Sequence, residues 1–287
     1  MNQVRPSIAL LSTQFAAPIR SLLKTAETHS YNLSRVNPGV ISASKLSADP
    51  LLESLSHFDV IYYRSGLRSA ALQYVYDLLP TQETVLVGWK PEHAMLHLKS
   101  TQAIIAGLHN IPQPNTVTVT TFDHSTLVEQ LGAPFVAKPD HGQEGIGVTL
   151  VDSEAVFANT MQGTTKRHWV FQEFIAAEAE YRVYTLAGKA VAGYVKEPRA
   201  GEFRGNVRQG ARIGSIGMHE QNDVFAFCEH IAEAFRVDIA GIDVLRSGGS
   251  LTFLEINLQP GWKGLDMLGY DLSEDILAFL ETQAPRP

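Results

Sequence analysis

The sequence predicts an α/β lobe followed by an α+β remainder, and three observations lead there. Over residues 1–95, short apolar runs alternate with amphipathic segments, the pattern of a mainly parallel sheet with crossover helices. From "PFVAKPD" onward the apolar runs are separated instead by tight turns, as in antiparallel hairpins. With 287 residues, 45% of them hydrophobic and 18% charged, the chain is an ordinary globular one, long enough for several small lobes.

Taken in order, "SIALLST" reads as a buried strand and "APIRSLLKTAETH" as the helix after it. "HFDVIYYRSG" is a second strand, ended by Gly66, "SAALQYVYDLL" a helix and "TVLVGW" a third strand. Ligand sites in parallel sheets gather beyond the carboxyl ends of the strands. Arg64 and Arg68 stand there, directly after "VIYY", and read equally as a grip for a substrate carboxylate or as surface ion-pair residues. "PEHAMLHLKSTQAIIAGLHNIPQPNTVTV" reads as two helical pieces, then Pro112 and Pro114, then a strand. "PFVAKP", "DHGQEGIG", "VTLV" and "DSEAVFANTMQG" give strand, glycine loop, strand and helix, and "HWVFQEFI" another strand. Two hairpins turn at Ala187-Gly188-Lys189 and Ser247-Gly248-Gly249, with the helix "VFAFCEHIAEAFRV" between them. The tail "APRP" is expected to fray.

A net charge of −7 excludes a broadly basic nucleic-acid surface, so any anion site must be local. The single cysteine, Cys228, permits no disulfide within the chain and falls in a helical apolar pattern as a core residue. No stretch approaches the roughly 18 apolar residues of a membrane span, and the N-terminus lacks the pattern of a signal peptide, so a cytoplasmic protein without membrane partners is expected. His93 and His97 lie four apart, but their Glu precedes His93 instead of following it, so both read as ordinary helix residues.

Chemistry concentrates in three places. The glycine loop has a strand on each side, which rules against a dinucleotide fingerprint and against a Walker A loop, both of which open a helix. Taken alone it reads equally as a hairpin lid over phosphates or as a plain hairpin turn. Gly142, Gly145 and Gly147 free its backbone N–H groups, and Lys138 supplies a point charge from the preceding strand. In the last hairpin, Glu255 and Asn257 are two apart and share a face, and Asp243 lies on the partner strand. Three oxygen donors in an apolar setting suit a hard cation such as Mg²⁺, with Mn²⁺ as a substitute. Between these, "YVKEPRAGEFRGNVRQGARIG" carries Lys196, Arg199, Arg204, Arg208 and Arg212, a polyanion clamp in an acidic protein. Trp262 reads as core or as a surface for substrate.

The motifs "KST", "PFVAKP", "HGQEGIGV", "FQEFI", "GEFRGN" and "GIDVL…LEINLQPG" stand in the order seen in ATP-grasp ligases, and the last two resemble the RimK-like branch. The resemblance covers roughly residues 95–265. It implies an N-terminal α/β lobe (1–95), a central lobe with the lid (96–170) and a C-terminal lobe with the metal site (171–287), the last two clamping ATP. It implies that Lys99 and Lys138 contact ATP phosphates, that Glu173 and Phe174 form the adenine hinge and that Glu180 meets the ribose. It places Arg204 and Asn206 on the reaction side, Arg208 toward substrate, and Mg²⁺ on Asp243, Glu255 and Asn257.

The activity implied is amide formation from a carboxylate and an amine through an acyl phosphate, releasing ADP and phosphate, with amino acids or small peptides as partners. Ring closure within one molecule and a non-catalytic ATP-binding relative are the alternatives, and the oligomeric state is open to a homo-oligomer. Where similar enzymes often carry small serine or threonine residues, this loop has Asp140-His141 and Gln143-Glu144. Many also carry His-Arg after the Asn step, where this chain has "NVRQGAR".

Overall fold

The computed structural model describes residues 5–38, 50–64, 79, 84–118, 123–142, 145–162, 168–197 and 212–285. These residues build three sheets. The first contains β1 (Ile8–Leu11), β2 (Leu33–Val36), β3 (Val60–Tyr63) and β4 (Val85–Val87), ordered β2-β1-β3-β4 with every pair parallel. All four residues of β1 and of β3 are buried, because both faces are covered. One face, with Ile8, Leu10, Val60 and Tyr62, packs on α1 (Ala17–His29) and on α8 (Leu272–Gln283) from the far end of the chain. The other face, with Leu11, Ile61 and Tyr63, packs on α2 (Pro50–Leu55) and Trp89. Hydrogen bonds from Thr25 Oγ1 to Asp271 Oδ2 at 2.8 Å and between the Ser21 and Ser273 hydroxyls at 2.8 Å fasten α1 to the start of α8.

The second sheet is antiparallel, with β5 (Thr116–Thr118), β6 (Phe135–Pro139), β7 (Thr149–Val151) and β8 (Trp169–Glu173) in the order β5-β8-β6-β7. As expected, the glycine loop joins two strands, β6 and β7, paired from Phe135 with Val151 to Ala137 with Thr149. The core of this sheet is its own, built from Phe135, Phe157, Trp169 and Phe171 with Leu127 and Leu131. Its helices α4 (His124–Leu131) and α5 (Glu154–Met161) begin at Asp123 and Ser153, whose side chains accept from the N–H groups of Thr126 and Val156.

The third sheet contains β9 (Ala179–Leu186), β10 (Lys189–Glu197), β11 (Arg212–Gly214), β12 (Ile239–Ser247) and β13 (Ser250–Asn257), ordered β11-β10-β9-β12-β13. Both hairpins turn where expected. Ala187 and Gly188 at φ 48° and 76°, and Gly248 and Gly249 at φ 56° and 79°, are the left-handed pairs that two-residue turns require. One face packs on α6 (Met218–Phe235) through Val224, Cys228, Ile231 and Phe235. Cys228 is fully buried, and burial pushes its thiol far up, so it is the core residue the sequence indicated. No helix among the described residues is long and apolar enough to cross a membrane.

The helix α3 (Lys99–Leu108) joins the second and third sheets. His93 and His97 are not helix residues. Pro91 opens a single 3-10 turn that ends at His93, and irregular turns follow to Lys99. The buried His93 Nε2 lies 3.1 Å from the Arg236 carbonyl. β13 is an edge strand, and Gln102 from α3 covers that edge. Its side-chain oxygen accepts from Ile256 N at 3.0 Å, while its NH₂ donates to the carbonyls of Ile256 at 3.0 Å and Leu96 at 2.7 Å. Gln102→Leu leaves these buried groups without partners. The expected loss is about 2–4 kcal/mol in urea unfolding. A loss below about 0.5 kcal/mol, the scale of an ordinary surface substitution, would show that the edge does not depend on Gln102.

Candidate active site

Strand alternation gives the third sheet one apolar face, on α6, and a second face that is apolar where it meets the first sheet and polar beyond. In register, Asp243 opposes Glu255 on β13 and Arg182 on β9, and Glu180 opposes Lys196 on β10. Glu180 and Arg182 are two apart, as are Glu255 and Asn257, so all these side chains emerge on the polar side. The buried Asp243 carboxylate accepts from Arg182 Nε and Nη2, both at 2.6 Å, and from Lys196 Nζ at 2.8 Å. Lys196 also donates to Glu180 Oε1 at 2.5 Å. Burial pushes the Asp243 carboxyl upward, but the Arg182 guanidinium and Lys196 ammonium overcome this and hold it below the usual range.

The two lysines expected at the phosphates approach this face from other elements. Lys138, on β6, donates to Gln172 Oε1 of the neighbouring β8. Desolvation lowers its ammonium to about 8; Glu255 is the main opposing charge, and Lys99 pushes further down. Lys99 opens α3, and its Nζ donates to the Gly142 carbonyl at 3.0 Å. Neither lysine has a carboxylate partner among the described residues. Glu255, Glu180, Asp243 and Lys99 all act on the Lys138 ammonium, so these charges lie near one another.

Glu255 makes no hydrogen bond or ion pair with any described residue. Asn257 Oδ1 accepts from Gln259 N at 2.9 Å. This all-oxygen pair fits a hard divalent cation. Asp243 fits less simply, because both its oxygens already serve Arg182 and Lys196. Among the described residues no three His, Cys, Asp or Glu form a metal cage, and the third donor here is an amide.

Glu173 ends β8, is exposed, and bridges to Asn115 through its backbone N–H at 2.9 Å. Half-buried Phe174 follows it in the connector to β9. Gly145 and Gly147 hold φ 70° and 77° in the lid. A Cβ on Gly147 would stand 2.9 Å from Pro139 Cγ, so only glycine fits there. Arg64 is not a surface ion-pair residue. It is 9% exposed, donates to Tyr62 Oη at 3.1 Å and to the Pro260 carbonyl at 2.9 Å, and lies 5.0 Å from the Trp262 ring. No carboxylate among the described residues pairs with it. Trp262 is core, 1% exposed, and supplies that surface for Arg64. Arg68, Arg199, Arg204, Asn206, Arg208, Gln143 and Glu144 lie outside the described residues. Sequence reasoning missed Gln102, Arg182 and Gln172; of these, only the place of Gln172 in "FQEFI" marked it.

Known proteins resemble this chain in sequence and in fold. The chain is 25% identical over 281 residues to a probable alpha-L-glutamate ligase of Thioalkalivibrio sulfidiphilus, covering 92% of this chain and 91% of that one. It is 28% identical over 244 residues to another of Hydrogenovibrio crunogenus, covering 81% and 79%. Its fold matches the RimK domain protein ATP-grasp of Sphaerobacter thermophilus at TM-score 0.68 and 20% identity, over 96% and 99% of the two chains. It matches the ATP-grasp ligase PsnB, solved with a precursor peptide and AMPPNP, at TM-score 0.73 and 14% identity, over 99% of each. A family model described as the RimK-like ATP-grasp domain matches residues 95–280, well over half of the sequence, and the chain belongs to that family.

Proposed function

We propose that the chain joins the carboxylate of an amino acid or peptide to an amine at the expense of ATP, through an acyl phosphate. One observation carries the reading. Lys99 and Lys138, from two different elements, lie near Glu255, and among the described residues neither lysine is ion-paired to a carboxylate and the Glu255 side chain has no partner. Lysines so placed lack the anion that would neutralise them, and a triphosphate supplies it.

The substrate carboxylate oxygen attacks the γ-phosphorus, the bond to the β-phosphate oxygen breaks, and ADP leaves. The amine nitrogen then attacks the acyl carbon, phosphate departs with the bonding pair, and the amine loses a proton. Such chemistry depends on positioning and charge neutralisation, which is what this chain's residues offer. Lys99 and Lys138 neutralise the phosphates. Glu255 and Asn257, with Asp243 behind them, would hold Mg²⁺, which when bound offsets phosphate charge. Glu173 and Phe174 take the adenine end and Glu180 the ribose. Arg64, a buried guanidinium bonded among the described residues to a phenol and a carbonyl, holds a substrate carboxylate. Arg204, Asn206 and Arg208 keep the roles the resemblance gives them, and the lid glycines let the loop close and exclude water.

The test is incubation with Mg²⁺, ATP and a panel of amino acids and peptides that includes glutamate, following ADP and phosphate. The expected result is ADP release coupled to an amide product. Glu255→Gln is expected to lower the rate at least about 100-fold, as for loss of one charge-stabilising group. AMP and pyrophosphate as products would overturn the reading.

The charge on Lys138 adds a pH signature. Only its protonated form attracts phosphate, so AMPPNP affinity is expected to fall as pH rises through about 8 in the free protein. The fall is at most about tenfold per pH unit, and Lys138→Arg, which stays charged, flattens it. Stability of the ligand-free protein moves the other way. Between about 8 and the ordinary 10.5 the unfolded chain binds the proton that the fold releases, so stability rises with pH there. Calorimetric titration and thermal unfolding at matched pH measure both.

A further inference from the structure

Asp140 is where the glycine loop leaves β6, and it is 7% exposed. Its carboxylate reaches no cation among the described residues. Instead Oδ1 accepts from Ser100 N at 2.8 Å and Oδ2 from Ser100 Oγ at 2.8 Å. Its carbonyl accepts from Lys99 N at 3.1 Å, and its N–H donates to the His168 carbonyl at 2.9 Å. Lys99 Nζ holds the Gly142 carbonyl two residues further on, and the His97 and His141 rings meet edge to face at 5.1 Å. α3 has no side-chain cap of its own, since Leu98 stands at its N-cap. Asp140 supplies that cap from forty residues away, where a carboxylate also meets the positive end of the helix.

We propose that Asp140 is a positioning residue for nucleotide phosphates, strapping β6 to the first turn of α3 so that Lys138 and Lys99 are held at one anion. The inference rests on the reading that these lysines bind ATP phosphates. Its geometry is short and closed. Asp140 lies two residues after Lys138, its carboxylate is bonded to Ser100 and its carbonyl to Lys99 N, so one residue couples two elements that each carry one lysine. The strap has work to do because the two ammonium groups repel. Without it, the long Lys99 side chain gains freedom and moves its charge toward water, and ordering it again opposes binding. The strap also fixes where the lid begins. The backbone is tied as far as Gly142, and the left-handed Gly145 and Gly147 lie beyond.

The test is calorimetric titration of the full chain with AMPPNP and Mg²⁺, alongside ligand-observed NMR with adenosine, which lacks phosphates. Asp140→Ala is expected to weaken AMPPNP about tenfold, the size of a lost hydrogen bond to a charged group, with adenosine binding unchanged. Asp140→Asn keeps an acceptor for Ser100 N–H and an NH₂ for Ser100 Oγ, so it is expected to restore most of the affinity. Ser100→Ala removes one of the two bonds and is expected to fall between, which carries the test if Asp140→Ala does not fold. Wild-type affinity in Asp140→Ala, equal weakening of both ligands, or no recovery in Asp140→Asn would each overturn the proposal while leaving the ligase reading intact. Failure of the wild type itself to bind AMPPNP would overturn both.

Discussion

The first turn of α3 is the constraint on which the site depends. Within four residues it offers Lys99 to the lid, Ser100 to Asp140 of β6 and Gln102 to the main chain of Ile256 on β13. Ile256 lies between Glu255 and Asn257, so Gln102 grips the strand between the two residues suited to a metal. One helical turn thus sets the second sheet's lysine and the third sheet's carboxylate relative to each other. The tethers are polar and directional, and directionality is what positioning requires. Apolar contact fixes separation but leaves rotation softer.

Charge on the polar face is unevenly matched. Among the described residues, four cations, Arg182, Lys196, Lys138 and Lys99, lie near three carboxylates, Asp243, Glu180 and Glu255. Arg182 and Lys196 are spent on Asp243 and Glu180 in buried pairs, where removal of either partner would strand a charge. What remains is Glu255 with the two lysines, a local cationic excess in a protein of net charge −7. Burial first, and the neighbouring Lys99 charge after it, lower the Lys138 ammonium, so the fold bears a cost for keeping this lysine ionised.

Much of the fold was legible because it is local. The helix "APIRSLLKTAETH" is α1 residue for residue, and both left-handed turns follow from their glycines. Elements without a local signature were not legible. β2, "LSRV", has a polar centre and its place comes from pairing with β1; α2 and α4 are short. α6 begins at Met218, six residues before the apolar pattern, because its first turns are solvent-facing. The same rule divides the site. Glu255 and Asn257 could be paired by strand alternation alone. Gln102 meets Ile256 across 154 positions, Arg182 meets Asp243 across 61 and Asp140 meets Ser100 across 40, and no spacing rule reaches that far. Lys196 was legible as a cation but not as the partner of Asp243, since its place in a basic run suggested a polyanion clamp.

The distribution of cores shows how the three sheets are joined. The first sheet shares one apolar cluster with Tyr184, Tyr194 and Trp262 of the C-terminal region, and Arg64 is bonded to Pro260, three residues beyond Asn257. The end of β3 and the end of β13 are therefore parts of one packed body. α3 belongs to the third sheet's cluster through Ala106. Among the described residues the second sheet keeps a core of its own and is tied to α3 through polar contacts, Asp140 to Ser100 among them. Hydrogen bonds of this kind fix direction, where an apolar interface fixes little more than separation. The base of the glycine loop is therefore ordered by α3 as well as by its own sheet, and that gives a reason for a buried carboxylate at a position where a loop otherwise needs only glycines.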